Sequence, residues 1–178
     1  MFVKKKNIKL KIVSEQFDIA DELVASLTDP DGYIGSFTDE LESKMKANAK
    51  KKDEGKPEVM EMTTDAEISD DGERIEVSYE ETELTGMEGS RTAVSFKKDD
   101  IGLVAMMRDG MVRTALVFEE GRRNICAYET PFMPFEICVC TKTVENSLSF
   151  EGGKLYLDYI VEVRGAKAER TKFTLEII

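Results

Sequence analysis

Histidine and tryptophan are both absent from this chain of 178 residues, and cysteine and proline are scarce, at three and four. Without histidine, Ser-His-Asp and Cys-His catalysis are excluded, as is any site with an imidazole ligand. A general base working near neutral pH would have to be a carboxylate, lysine, cysteine or tyrosine with a strongly shifted pKa. Three cysteines, an odd number, make no disulfide framework. Cys138 and Cys140 sit two apart in a strand-like run, so they share a face roughly 6–7 Å apart. That spacing disfavours a bond between them, and Cys126 lies one hairpin earlier, where it could approach them. The expectation is free thiols in a reducing compartment. Also missing is any apolar run near the ~18 residues that a spanning helix requires. The lysines of Met1–Asn7 have no hydrophobic segment behind them, so no secretory signal is read and a cytoplasmic chain is expected. Gly86-Met87-Glu88-Gly89 and Glu151-Gly152-Gly153-Lys154 lack the spacing of a nucleotide loop and read as hairpin turns. Asp29-Pro30-Asp31-Gly32 resembles the start of a calcium loop, but Tyr33 and Ile34 supply no further ligands. No catalytic set, no metal site and no cofactor is therefore expected.

What is present is the composition of a globular chain, 41% hydrophobic and 34% charged, long enough for one domain over residues 1–178. The formal charge of -11 is unevenly placed: Glu58 to Glu83 holds eleven acids against one base, Arg74. Such a field repels phosphate backbones and anionic membranes, so neither nucleic acid nor a membrane is expected as a partner. The stretch reads first as a solvated acidic face.

Val3–Val13 alternates, with Ile8, Leu10 and Ile12 on one face and lysines between them, as in a half-buried strand at a sheet edge. The period then changes. Ile19, Ala20, Leu23, Val24 and Leu27 recur at helical spacing behind Asp18 as N-cap, and a second helix is predicted from about Asp39 to Lys51. From Val59 onward the pattern is strand after strand, joined by short turns. Ile101–Arg108 is apolar on both parities, as expected of a strand covered on both sides, and Asp109-Gly110 reads as a two-residue hairpin. Consecutive hairpins without a crossover helix give a meander, and a long meander closes on itself to remove its edges. The expected fold is all-β: a closed or nearly closed antiparallel up-and-down β-barrel of about 8–10 strands, with a two-helix insertion at about residues 17–56 after the first strand.

Tyr79-Glu80-Glu81-Thr82-Glu83, then Thr85-Gly86-Met87-Glu88-Gly89 and Thr92, is similar to the central signature of the YwiB-like family. The likeness runs on through Arg108-Asp109-Gly110, Phe118–Arg122, Tyr128-Glu129-Thr130-Pro131-Phe132 and Thr141, and closes with Gly153-Lys154-Leu155 and Leu157-Asp158-Tyr159. It covers Val59 to the C-terminus and the first strand. The resemblance implies a small bacterial protein of unknown function with a lipocalin-like (calycin) barrel. It transfers no activity, because fold alone does not imply function. Two departures stand out: the predicted helical insertion, and Met133-Pro134 where relatives tend to have glycine.

If Tyr79 faces inward with Ile75 and Val77, the two-residue period puts Glu81 and Glu83 on the same face, with Arg108 as counter-charge. Glu119, Arg122 and Tyr128 flank a later hairpin and form a second candidate cluster. Such groups either close one end of the barrel or contact a ligand. Met60, Met62, Met87, Met106, Met107, Met111 and Met133 suit an adaptable apolar pocket or an irregular core. Three readings stay open. One is a barrel holding a small apolar or amphipathic ligand oriented by Arg108 and Tyr128. Another is a filled barrel that meets a protein partner through the helical insertion or the acidic face. The third is an enzyme using Glu81 or Glu83 against Arg108, the least favoured of the three.

Overall fold

The computed structural model describes residues 3–18, 57–163 and 169–178. Ten antiparallel strands run in chain order: β1 (Lys4–Asp18), β2 (Glu58–Asp70), β3 (Arg74–Glu80), β4 (Arg91–Lys97), β5 (Asp100–Asp109), β6 (Arg113–Glu119), β7 (Arg123–Glu129), β8 (Pro134–Asn146), β9 (Gly153–Val163) and β10 (Glu169–Ile177). Each pairs with its neighbours in sequence, and β1 pairs with β10 to close the barrel. The one helical piece among the described residues is a single 3-10 turn, Glu83–Thr85.

Period-two alternation decides which residues fill the barrel. Leu10 and Ile12 of β1, Ile68 of β2, Val77 of β3, Val94 of β4 and Val104 of β5 are almost fully buried, as are Phe118, Leu155, Leu157 and Leu175 on later strands. The middle of the barrel is thus packed with aliphatic and aromatic side chains, and their removal from water is the main stabilising term. Met62 and Met106 belong to this core with Met60 packed against it, whereas Met107, Met111 and Met133 are exposed. The methionines therefore do not line one common pocket.

Several expectations are corrected. The first strand does not stop at Val13 but runs to Asp18, pairing with β2 along one side and β10 along the other. Asp18 is therefore a strand residue and not a helix N-cap. The predicted two-helix insertion otherwise lies outside the described residues. The β1 lysines do not mark a sheet edge. Lys5 pairs with Glu67, Lys9 with Asp65 and Lys11 with Glu61 of β2, at 2.7–2.8 Å. Exposed pairs of this kind contribute little individually because solvent screens them, but together they balance much of the acidity of the outer face of β2. The strand β5 is covered on one side only: Val104 and Met106 face in, while Leu103 and Met107 are exposed.

Asp109-Gly110 does not form a two-residue hairpin either. The ladder pairs Arg108 with Thr114, so the connection is longer, and Gly110 has no positive φ. Glycine is needed there for space: a Cβ would lie 2.7 Å from the Ser90 backbone. Close approach, not turn geometry, selects that glycine.

Candidate functional site

One end of the barrel interior is polar, and the local chain path explains why. β3 ends at Glu80, but the Glu81 N–H still donates to the Ser90 carbonyl at 2.8 Å. That bond keeps Glu81 extended and inward for one more residue. The chain then turns: Thr82 and Thr85 close the 3-10 turn through backbone and hydroxyl bonds. The two-residue period is broken there, so Glu83 is exposed and does not join Glu81.

The Glu81 side chain is 1% exposed and that of Arg108 17%. Glu81 Oε1 accepts from Arg108 Nε at 3.2 Å, from Arg108 Nη2 at 3.1 Å, and from the Thr92 hydroxyl. Arg108 Nε also donates to Thr92 Oγ1 at 3.2 Å. All three donors converge on one carboxylate oxygen. The other, Glu81 Oε2, is buried with no hydrogen-bond partner. An isolated buried acceptor of this kind costs about 1–3 kcal/mol, more when charged.

Two phenols complete this end. Tyr79 lies across from Thr92 in the β3–β4 ladder. Burial, reinforced by the Glu81 charge, holds that phenol far above its ordinary pKa. Tyr159 packs its ring on Phe118 at 4.7 Å between centroids. Burial pushes its phenol up to about 12, against the opposing pull of a Thr171 hydrogen bond and the Arg108 charge. Both phenols therefore stay protonated as neutral donors at neutral pH. The Thr114 hydroxyl, across the ladder from Arg108, and the Thr141 hydroxyl, across from Tyr159, are buried without partners.

Of the expected residues, Tyr79, Glu81 and Arg108 come together. Tyr128 is half-buried on the inward face of β7 and packs against the core. Glu119 and Arg122 sit elsewhere, about half exposed and 3.7 Å apart on the surface. Thr92, Thr114, Thr141 and Tyr159 complete the interior polar set. Cross-strand register could have found Thr92, which lies opposite both Tyr79 and Arg108, but register is not visible within a single strand.

The cysteines separate. Cys126 faces the core, paired with Ile137, whereas Cys138 and Cys140 lie on the outer face of β8 opposite Ile125 and Arg123. All three are free thiols. Burial pushes Cys140 up to about 11 and also raises Cys126, which lowers the thiolate fraction that reacts. In native protein at neutral pH, maleimide should modify Cys126 and Cys140 about 100-fold more slowly than Cys138, with all three reacting equally in denaturant; peptide mass mapping over time reads this directly. Among the described residues no group of three His, Cys, Asp or Glu could hold a metal ion. No helix there is long and apolar enough to cross a membrane, which says nothing of a membrane β-barrel.

The fold and its polar end define a closed ten-stranded antiparallel barrel with a charged pair buried at one end of its core. Residues 44–175 match the model of a domain of unknown function, DUF1934. The chain belongs to that family. Its fold is similar to that in the crystal structure of the YwiB protein from Bacillus subtilis, at 19% identity, with a TM-score of 0.61 over 97% of this chain and 93% of that one. No curated protein matches the chain.

Proposed function

We propose that the barrel is a lipocalin-like binding module whose polar end holds one small amphipathic molecule. The observation that carries the reading is Glu81 Oε2, a buried carboxylate oxygen left without a donor while its twin takes three. A ligand hydroxyl, amide N–H or ammonium would supply the missing hydrogen bond. Arg108, the Thr114 hydroxyl and the Tyr159 phenol would fix the orientation of its polar group. The aliphatic middle of the barrel is occupied by side chains, so the ligand would sit at the polar end with its apolar part against Leu116. Two open depressions, of about 620 Å³ beside Tyr156 and about 400 Å³ beside Arg91, lie on the outer wall and offer no comparable buried group.

Native mass spectrometry of the protein purified from its own host tests this. The expected result is an adduct of a few hundred daltons that is lost on denaturation. In Glu81→Gln, which keeps the volume but removes the charge, occupancy should fall about 10-fold or more. Wild-type protein that carries no adduct, or an adduct indifferent to Glu81→Gln, would contradict the reading.

A second reading is favoured by the packed middle of the barrel: a filled barrel that acts as an interaction module. Of the residues expected to serve it, the insertion at 17–56, all but Phe17 and Asp18 of β1 lie outside the described residues, and the acidic face is partly neutralised by β1 lysines.

A further inference from the structure

The outer wall over β4–β7 differs from the rest of this acidic protein. Reading outward-facing residues across the four strands, one row is Arg91, Asp109, Arg113 and Glu129, in which charge alternates and sums to zero. The next row is Ala93, Met107, Ala115 and, two residues before Glu129, Ala127. After it come Ser95, Ala105 and Val117 and, four residues before Glu129 on β7, Ile125. Two successive rows on four adjacent strands therefore carry no charge, in a chain whose formal charge is -11. Met107 is 59% and Ile125 66% exposed, against a background of small alanines.

We propose that this face is the interface of a two-fold homodimer, with the β4–β7 walls of two copies packed face to face. The argument is self-complementarity, which an isologous interface requires. Place the two-fold axis parallel to the strands and between β5 and β6. Each row then meets the same row of the second copy in reverse order. Arg91 comes opposite Glu129 and Asp109 opposite Arg113, so every charge in the first row faces its opposite. In the second row, Met107 comes opposite Ala115, a long side chain over a short one. In the third, Ile125 comes opposite the already buried Ser95, and Val117 opposite Ala105. Both the charges and the bulk are complementary under this one operation. The alanines keep side-chain bulk low along the middle of this convex wall, so the two copies can approach closely there. Neutrality matters because two copies of a -11 chain otherwise repel one another.

Sedimentation velocity of the full chain across the micromolar range tests the arrangement, and wild-type protein should be a dimer. Ala115→Arg, in the centre of the face, should raise the dissociation constant by about 100-fold. Asp109→Arg alone sets two arginines against each other, and Arg113→Asp alone sets two aspartates; each should weaken the dimer. Mixing these two variants restores both contacts, so the mixture should form a heterodimer that neither forms with itself. All three positions are exposed, and unchanged thermal unfolding of the monomers shows that the variants fold. A monomeric wild type, a dimer indifferent to Ala115→Arg, or charge variants that fail to recover on mixing overturns the proposal.

Discussion

Replacing Arg108 with methionine should lower the unfolding free energy by about 3–5 kcal/mol, the usual cost of leaving a buried charge without its partner. Arg108 gives two of the three donors that Glu81 Oε1 accepts, and Glu81 is almost wholly sequestered. Thr92 alone would remain. Methionine keeps the apolar stem of the side chain, so the loss comes from charge and hydrogen bonding rather than from a void. Adding Glu81→Gln to Arg108→Met should recover part of the stability, because the stranded charge is then gone. A double-mutant cycle in urea measures that coupling. A cost under about 1 kcal/mol for Arg108→Met would mean that the pair contributes no more than an exposed one.

The second large effect is expected at Gly153. Its φ is +119°, a conformation rarely adopted by L side chains, and an added Cβ would stand 2.8 Å from the Ser147 carbonyl carbon and 3.0 Å from the Leu148 Cα. These are backbone atoms, fixed by the Ser147 N–H bond to the Lys154 carbonyl, so they cannot swing aside. Gly153→Ala should therefore destabilise by about 3 kcal/mol or more. Gly121 is the control: it also has positive φ, +74°, but nothing lies within 4 Å of its Cβ position. Gly121→Ala should cost only about 1 kcal/mol. The difference between the two variants in thermal unfolding isolates the close approach from backbone strain. Equal costs would show that the β8–β9 turn relaxes.

The barrel is legible because Ile8, Leu10 and Ile12, or Ile75, Val77 and Tyr79, alternate with polar residues, and a meander of such strands buries every apolar face by closing on itself. Where a period stops is not written in the residues that carry it. Glu83 carries the right parity to join Glu81, but the chain leaves the sheet at Thr82. Leu103 and Met107 read as buried because they are apolar; they face outward. Asp109-Gly110 carries the residues of a tight hairpin, yet its glycine answers to the close approach of Ser90. The Glu81–Arg108 pair was anticipated from parity and charge. Thr92 and Tyr159 were not assigned to it, because their proximity depends on pairings made far apart in sequence.

Closure between β1 and β10 carries a consequence for how this chain folds. Nine of the ten ladders join strands consecutive in sequence and can form as the chain is made, but the β1–β10 ladder joins residues such as Leu10 and Ile177 across nearly the whole sequence. No synthesis intermediate can form that seam until its last strand has emerged. Loop-closure entropy opposes it until then, and topology-limited folding of this kind is slow. Until the seam forms, β1 has an open flank, and it is there, late in biogenesis, that a chaperone would have most to protect.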